Sequence, residues 1–349
     1  MEERRSTTTR GRRPICGLYQ GAWARSEWGK IKLSGLDIIT KILNNLNRVI
    51  IGKEEAIEKV LVCFLAGGHL LIEDVPGVGK TTMIKALAKS VNLSYSRVQF
   101  TPDVMPSDII GTTIYNRKEE KFEFIKGPVF EHILLADEIN RTSPKTQSSL
   151  LQAMEESEVS VDGKLYQLKK PFMVLATQNP IEYQGTFPLP ESQLDRFLMS
   201  LSIGYPSAEN EVEVIRQNKA NKTLSHISEV ASESDILELQ KQVENVHAHD
   251  DILNYIIGLS NASRTHADVS LGASPRASID LFKASKALAF IRNRNYVIPD
   301  DVKEIMPYVF EHRLILSSEA RIKNKNPKLI LREIIKRVYV PVVRQVEHK

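Results

Sequence analysis

The most constraining feature of this chain lies between residues 69 and 90. An apolar run, residues 69–73, passes through Asp74-Val75-Pro76-Gly77-Val78-Gly79-Lys80-Thr81 directly into a helical segment. A strand feeding a glycine-bearing loop and then a helix N-terminus commits the backbone to half of a strand–crossover unit. The same geometry suits a phosphate group, because the first turn of a helix carries unpaired N–H groups and the positive end of the dipole. Gly77 and Gly79 let the backbone curl around phosphates without a Cβ in the way. Lys80 can reach the β- and γ-phosphates, and the Thr81 hydroxyl can ligate magnesium. Pro76, Gly77, Val78, Gly79, Lys80, Thr81 and Thr82 are therefore the expected nucleotide-binding residues. The common form of the loop begins with glycine; here that position is Asp74.

Further apolar runs follow at 95–100, 132–137, 172–177 and 197–203, separated by helical stretches such as 80–90 and 145–156. This alternation predicts an α/β fold, a parallel sheet with helices on both faces, and with the phosphate-binding loop after its first strand it is expected to be a P-loop NTPase. Two hairpins interrupt it: 111–124, with alternating Thr112, Ile114, Phe122 and Phe124, and 159–168, around the turn Asp162-Gly163. Upstream, Ile38, Ile39, Ile42, Leu43 and Leu46 mark a helix from Leu36, and Ala56, Val60, Leu61 and Phe64 a second. Past Pro206 the strands stop, and 252–263, 276–292 and 300–309 read as helices, with Pro275 and Pro299 near helix starts. The expected organisation is a non-periodic tail over 1–30, an ATPase core over 31–208 and a smaller all-α lid domain over 209–349.

Composition narrows the function. The chain is 42% hydrophobic and 26% charged, and no window holds the roughly 18 apolar residues of a membrane span. The basic N-terminal residues lack the apolar run of a secretory signal. Of the two cysteines, Cys16 and Cys63, the latter lies between Val62 and Phe64 as a small core hydrophobe, and neither has metal-ligand spacing. A cytoplasmic setting is expected. Residues 1–30 hold seven Lys/Arg and three Asp/Glu, so the remaining body carries 40 of each. That neutral body argues against a nucleic-acid motor, which commonly shows a basic stripe.

Residues 133–138 form an apolar run ending in Asp137-Glu138. A buried parallel strand of this kind brings both acids to the rim that holds the phosphate loop. Asp137 would hold magnesium through its water shell, and Glu138 would polarise the attacking water as general base. The run at 172–177 leads into Gln178-Asn179-Pro180, where the Asn179 amide could bond the γ-phosphate or orient that water; by itself, Asn-Pro also reads as a turn. Arg196 precedes the last strand in Leu194-Asp195-Arg196-Phe197, and Arg276 opens a helix in Gly272-Ala273-Ser274-Pro275-Arg276-Ala277. Arginines at such ends are often merely solvated. A phosphoryl group in transfer, however, is well neutralised by a guanidinium supplied late in the cycle.

In this order, DVPGVGKT, LLADEINR, ATQNP, LPESQLDRF and GASPRA resemble the MoxR group of AAA+ ATPases, from about Leu36 to the C-terminus. Asp74 in the loop is common in that group. The resemblance implies that Lys80 and Thr81 belong to Walker A, Asp137 and Glu138 to Walker B, and Asn179 to sensor 1. It makes Arg196 the finger reaching a neighbouring subunit's ATP, and Arg276 the sensor 2 arginine touching the ATP of its own subunit. Val49-Ile50-Ile51-Gly52 would line the adenine pocket, chiefly through Ile51 and Gly52, and Gln99 would restrain Glu138 until a substrate binds. The two hairpins correspond to inserts that can face a ring's pore. ATP and Mg2+ are the implied cofactors. The implied assembly is a homo-oligomeric ring, typically a hexamer, remodelling a client protein beside a von Willebrand A domain protein that holds a metal. This chain has no such domain of its own: Asp268-Val269-Ser270-Leu271-Gly272 breaks the Asp-x-Ser-x-Ser pattern and reads as a loop. Neither membrane insertion nor nucleic acid is expected. A nucleic-acid motor and a metal-chelatase motor subunit share the same module and stay as alternatives. An inactive scaffold is disfavoured because every catalytic side chain is present, and a small-molecule kinase because it needs neither a trans arginine nor so long a lid.

Overall fold

The computed structural model describes residues 27–74, 77–179, 186–219, 224 and 227–341. The chain opens with α1 (Glu27–Val49) and α2 (Glu54–Leu65), followed by β1 (Leu70–Glu73), α3 (Lys80–Ser90) and β2 (Tyr95–Gln99). Next come α4 (Pro106–Ile110) and a hairpin of β3 (Gly111–Asn116) and β4 (Lys121–Lys126). The core continues through β5 (Ile133–Asp137), α5 (Pro144–Glu156), a second hairpin of β6 (Glu158–Val161) and β7 (Lys164–Gln167), then β8 (Met173–Gln178). A short α6 (Glu191–Leu194) precedes β9 (Met199–Leu201), after which α7 (Ala208–Lys219), α8 (Glu233–Glu244) and α9 (Asp250–Arg264) follow. The C-terminal part holds β10 (Val269–Leu271), α10 (Pro275–Ile291), α11 (Pro299–Phe310), β11 (Ile315–Leu316), α12 (Ser318–Ile322) and α13 (Pro327–Arg337).

Among the described residues, five strands form one sheet in the order β2-β5-β8-β1-β9, all parallel. Their side chains divide strictly by face. Leu70, Ile72, Ile133, Leu135, Met173 and Leu175 enter one apolar cluster with α1, α2, α3 and the C-terminal helices. Leu71, Leu134, Ala136, Val174 and Ala176 enter a second, covered by α4, α5 and the hairpins. Both faces are thus dry, which explains runs of consecutive apolar residues rather than an alternating pattern. The expected parallel sheet with helices on both faces is what the chain forms.

Polar residues gather where the strands end. Register pairs Gln99 with Asp137 and Glu73 with Gln178, so the C-terminal edge of the sheet is a row of amides and carboxylates. Ligands of open parallel sheets bind outside this edge.

Two expectations need correction. Strands do not stop at Pro206: Val269–Leu271 pairs antiparallel with Ile315–Leu316, so the helical C-terminal part carries a small ladder, and the 268–272 segment is a strand rather than a loop. The helical pattern seen from Leu36 also extends back to Glu27. The rest of the proposed tail, 1–26, lies outside the described residues.

Candidate active site

The phosphate loop leaves β1 at Glu73 and closes on α3. Gly77 and Gly79 have φ of 89° and 91°, a conformation that side-chain-bearing residues rarely adopt, and Gly79 caps the helix that begins at Lys80. Lys80, Thr81 and Thr82 therefore occupy the first helical turn, half-buried, where unpaired N–H groups are concentrated. Lys80 Nζ donates to the Asp74 carbonyl at 3.2 Å. The Asp74 carboxylate is buried and accepts the backbone N–H groups of Ile203 and Gly204, at 2.5 and 2.8 Å. Asp74 thus anchors the loop to the segment after β9, a task a glycine could not perform. Pro76 lies outside the described residues.

At the end of β5, separated from β1 by β8, Asp137 and Glu138 stand in a connected network. Thr177 Oγ1 donates to Asp137 Oδ1 at 2.6 Å and accepts the Glu138 N–H at 2.9 Å. Arg97 donates to Asp137 Oδ2 at 2.6 Å, and Gln99 Nε2 donates to Glu138 Oε2 at 2.7 Å. Arg141 Nε lies 3.3 Å from the same Glu138 oxygen. Glu138 has a left-handed backbone, φ 58° and ψ 50°, which is uncommon for a residue other than glycine. Strain of this kind concentrates at functional sites, where surrounding structure enforces it. Asn179 follows β8 directly and sits half-buried on the same edge.

The oxygen donors suit a magnesium ion. Among the described residues no group of three or more His, Cys, Asp or Glu is arranged around a metal. Magnesium needs no such cage, since it is held by one or two protein oxygens together with substrate phosphates and water. The Thr81 hydroxyl and the Asp137 carboxylate supply that kind of ligand. At the other wall, Ile51 and Gly52 are half-buried; Gly52 has φ +68°, and a Cβ there would lie 1.8 Å from the Asn210 amide nitrogen. Glycine is thus required both by the backbone and by the approach of α7.

The two candidate arginines lie elsewhere. Arg196 Nη2 is 3.1 Å from Glu155 Oε2, and Arg276 Nη1 donates to Glu155 Oε1 at 2.9 Å. They share a cavity of about 290 Å³ with Gly67, Gly68, His69 and Phe172, residues that precede β1 and β8. This is the N-terminal edge of the sheet, opposite the phosphate loop by the length of β1, about 13 Å. Arg276, in the first turn of α10, is thus placed on the edge away from Lys80, its side chain bound to Glu155 in the last turn of α5. Both arginines are partly buried, with 25% and 38% of their side chains exposed, and Glu155 pairs with each.

This edge is braced from below. His69 Nε2 lies 3.0 Å from the Met154 carbonyl, and its Nδ1 accepts the Val174 N–H at 3.0 Å. Burial, offset in part by the Met154 contact, and the nearby Arg276 charge bring its pKa down to about 4, so the ring is neutral. Asp195, next to Arg196, accepts from the Ser274 hydroxyl at 3.0 Å and lies 2.8 Å from the buried Arg313 Nε. Arg97, Thr177, Arg141, Glu155, Asp195 and Arg313 were not singled out by sequence. Arg97 shares its strand face with Gln99, two residues on, and that alternation was the one available signal.

The chain matches known proteins along most of its length. Residues 69–199 match the ATPase family associated with various cellular activities (AAA), and residues 261–334 match the AAA lid domain. The protein called uncharacterized protein YeaC of Bacillus subtilis is 49% identical over 307 residues, 88% of this chain and 96% of that protein. Chaperone MoxR1 of Mycobacterium tuberculosis is 40% identical over 317 residues, 88% of this chain and 84% of that one. A candidate ATPase from Cytophaga hutchinsonii, of solved structure, superposes with a TM-score of 0.85 at 39% identity, covering 90% of this chain and 98% of its own. With an ATPase-domain match followed by a lid-domain match, and 40% identity to Chaperone MoxR1 over 88% of its length, the chain belongs to the MoxR family of AAA+ ATPases.

Proposed function

We propose that the protein hydrolyses ATP to ADP and phosphate with magnesium, at sites completed by a neighbouring copy, and uses the cycle to remodel a partner protein. The observation that carries this reading is the meeting of Arg196 and Arg276 on Glu155, on the sheet edge opposite Lys80. Arginines so located suit a nucleotide bound by another copy better than one held on Lys80 of the same copy. A closed ring of identical subunits, a hexamer in this reading, satisfies every such edge at once.

Within one site the roles divide as follows. Backbone N–H groups of residues 77–82 and the Lys80 ammonium receive the phosphates. Thr81 and Asp137 hold the magnesium ion, which when bound neutralises charge on the β- and γ-phosphates. Glu138 takes the proton of the attacking water, and Asn179 orients that water or the γ-phosphate. Arg196 and Arg276 of the adjacent copy stabilise the charge on the transferring group. Ile51 and Gly52 line the adenine. Residues 31–208 act as the motor core and 209–349 as its lid, working in the cytoplasm on a client presented with a von Willebrand A domain protein. Support for the client role comes from the family and from exposed Ile114, Tyr115, Phe122 and Leu165 on the two hairpins.

The test is complementation. Glu138→Gln and Arg196→Ala are each expected to hydrolyse ATP at under about a hundredth of the wild-type rate, while still binding nucleotide. Mixed, they should regain a substantial fraction of turnover, because an intact acid pair then meets an intact arginine across some interfaces. Two inactive variants that stay inactive together under conditions of assembly would sink the trans assignment.

A further inference from the structure

We propose that Arg97 is a positioning residue that couples the state of the metal-binding acid, Asp137, to release of the base, Glu138. This rests on the roles just given to those two acids. Arg97 and Gln99 point to the same face of β2, and Arg97 Nη2 reaches both Asp137 Oδ2, at 2.6 Å, and Gln99 Oε1, at 2.9 Å. An amide side chain has a donor end and an acceptor end. With its oxygen held by the guanidinium, Gln99 must turn its NH2 toward Glu138, which it does at 2.7 Å. One arginine therefore sets the orientation of the amide that restrains the base.

The same arginine supplies the positive charge at Asp137. The other Asp137 oxygen is engaged by Thr177, so Oδ2 is the one contested between Arg97 and a divalent cation. When Asp137 directs charge toward a cation, its attraction for the guanidinium weakens, because both positive charges draw on one carboxylate. Arg97 is 45% exposed at the side chain and can swing into solvent. Gln99 then loses the contact that fixes its orientation, and Glu138 loses its shorter restraint, keeping only the 3.3 Å ion pair with Arg141 as it turns to water. Loading of the metal acid and freeing of the base become one event. A charge-assisted contact of this kind at a partly exposed site is worth about three- to tenfold in a competing equilibrium.

The experiment uses the full chain and a fluorescent, non-hydrolysable ATP analogue, with binding followed by anisotropy across a magnesium series. Arg97→Gln should shift the magnesium midpoint for analogue binding about three- to tenfold lower, and Arg97→Lys, which keeps the charge, should leave it within twofold of wild type. At magnesium below the wild-type midpoint, where Arg97 and Gln99 still hold the base, Arg97→Gln and Gln99→Ala should each raise basal ATP turnover. The double variant should exceed neither, because both act through one link. An unmoved midpoint in Arg97→Gln, or additive effects in the double variant, would overturn the coupling while leaving the active-site reading intact. A wild-type protein whose analogue binding ignores magnesium would overturn that reading and the coupling with it.

Discussion

Asp74 stands where a glycine commonly opens the phosphate loop, and its carboxylate ties the loop to Ile203 and Gly204. A buried carboxylate that accepts two backbone N–H groups cannot be deleted without leaving those donors unpaired. Asp74→Gly, which restores the commoner residue, should therefore cost about 1–3 kcal/mol of stability in urea unfolding and weaken nucleotide binding, rather than improve the loop. The letters of the loop and of the acid-ended strand were legible because strand, glycines and helix start adjoin one another in sequence. The reason for Asp74 was not, because its partners lie 129 and 130 residues away. Glu155 escaped notice on the same ground. A glutamate in the last turn of a helix has no local mark, and its meaning comes from two arginines at distant positions.

At the scale of elements, the two hairpins show how one alternating segment does two jobs. Phe124 packs with its ring centroid 4.4 Å from Tyr166 and 5.8 Å from Phe130, joining the first hairpin to the second and to the core. Phe122, two residues earlier on the same strand, is 75% exposed and meets only Tyr115 among rings of the described residues. Phe124→Ala should destabilise the fold by about 2–3 kcal/mol, whereas Phe122→Ala should change it by less than about 0.5 kcal/mol in the same denaturation assay. The sheet strands could be read from sequence because burial on both faces writes them as unbroken apolar runs. The β10–β11 ladder could not: strands of three and two residues are too short for any period to show, and a register irregularity breaks their pairing.

Across the whole molecule, one apolar cluster runs from α1–α3 and the sheet into α8–α11 and α13, so the C-terminal helices are packed against the core rather than hung from it. On the opposite side His69 is buried against Met154, Val174 and Phe172, with a pKa of about 4 in the folded chain against about 6.5 when unfolded. A histidine buried neutral contributes nothing against the unfolded state above its unfolded value. As pH falls from about 6.5 toward 4, only the unfolded chain takes up the proton, and the part of stability carried by His69 drops by on the order of 3 kcal/mol. Urea unfolding at pH 7.5, 6 and 5 should show the loss, and a His69→Gln variant should lose less across that interval.

Asp195 is held on one side by Ser274 and Arg313 from the C-terminal part, while the next residue is Arg196. A shift of those helices therefore carries Arg196 with it, because Arg313 also bonds the carbonyl oxygens of Asp195 and Phe197. In the proposed ring, what one subunit's lid does on its own nucleotide alters the chemistry available to the next subunit. Firing order around such a ring is then a consequence of side-chain connectivity, and the sites behave as coupled stages rather than independent engines.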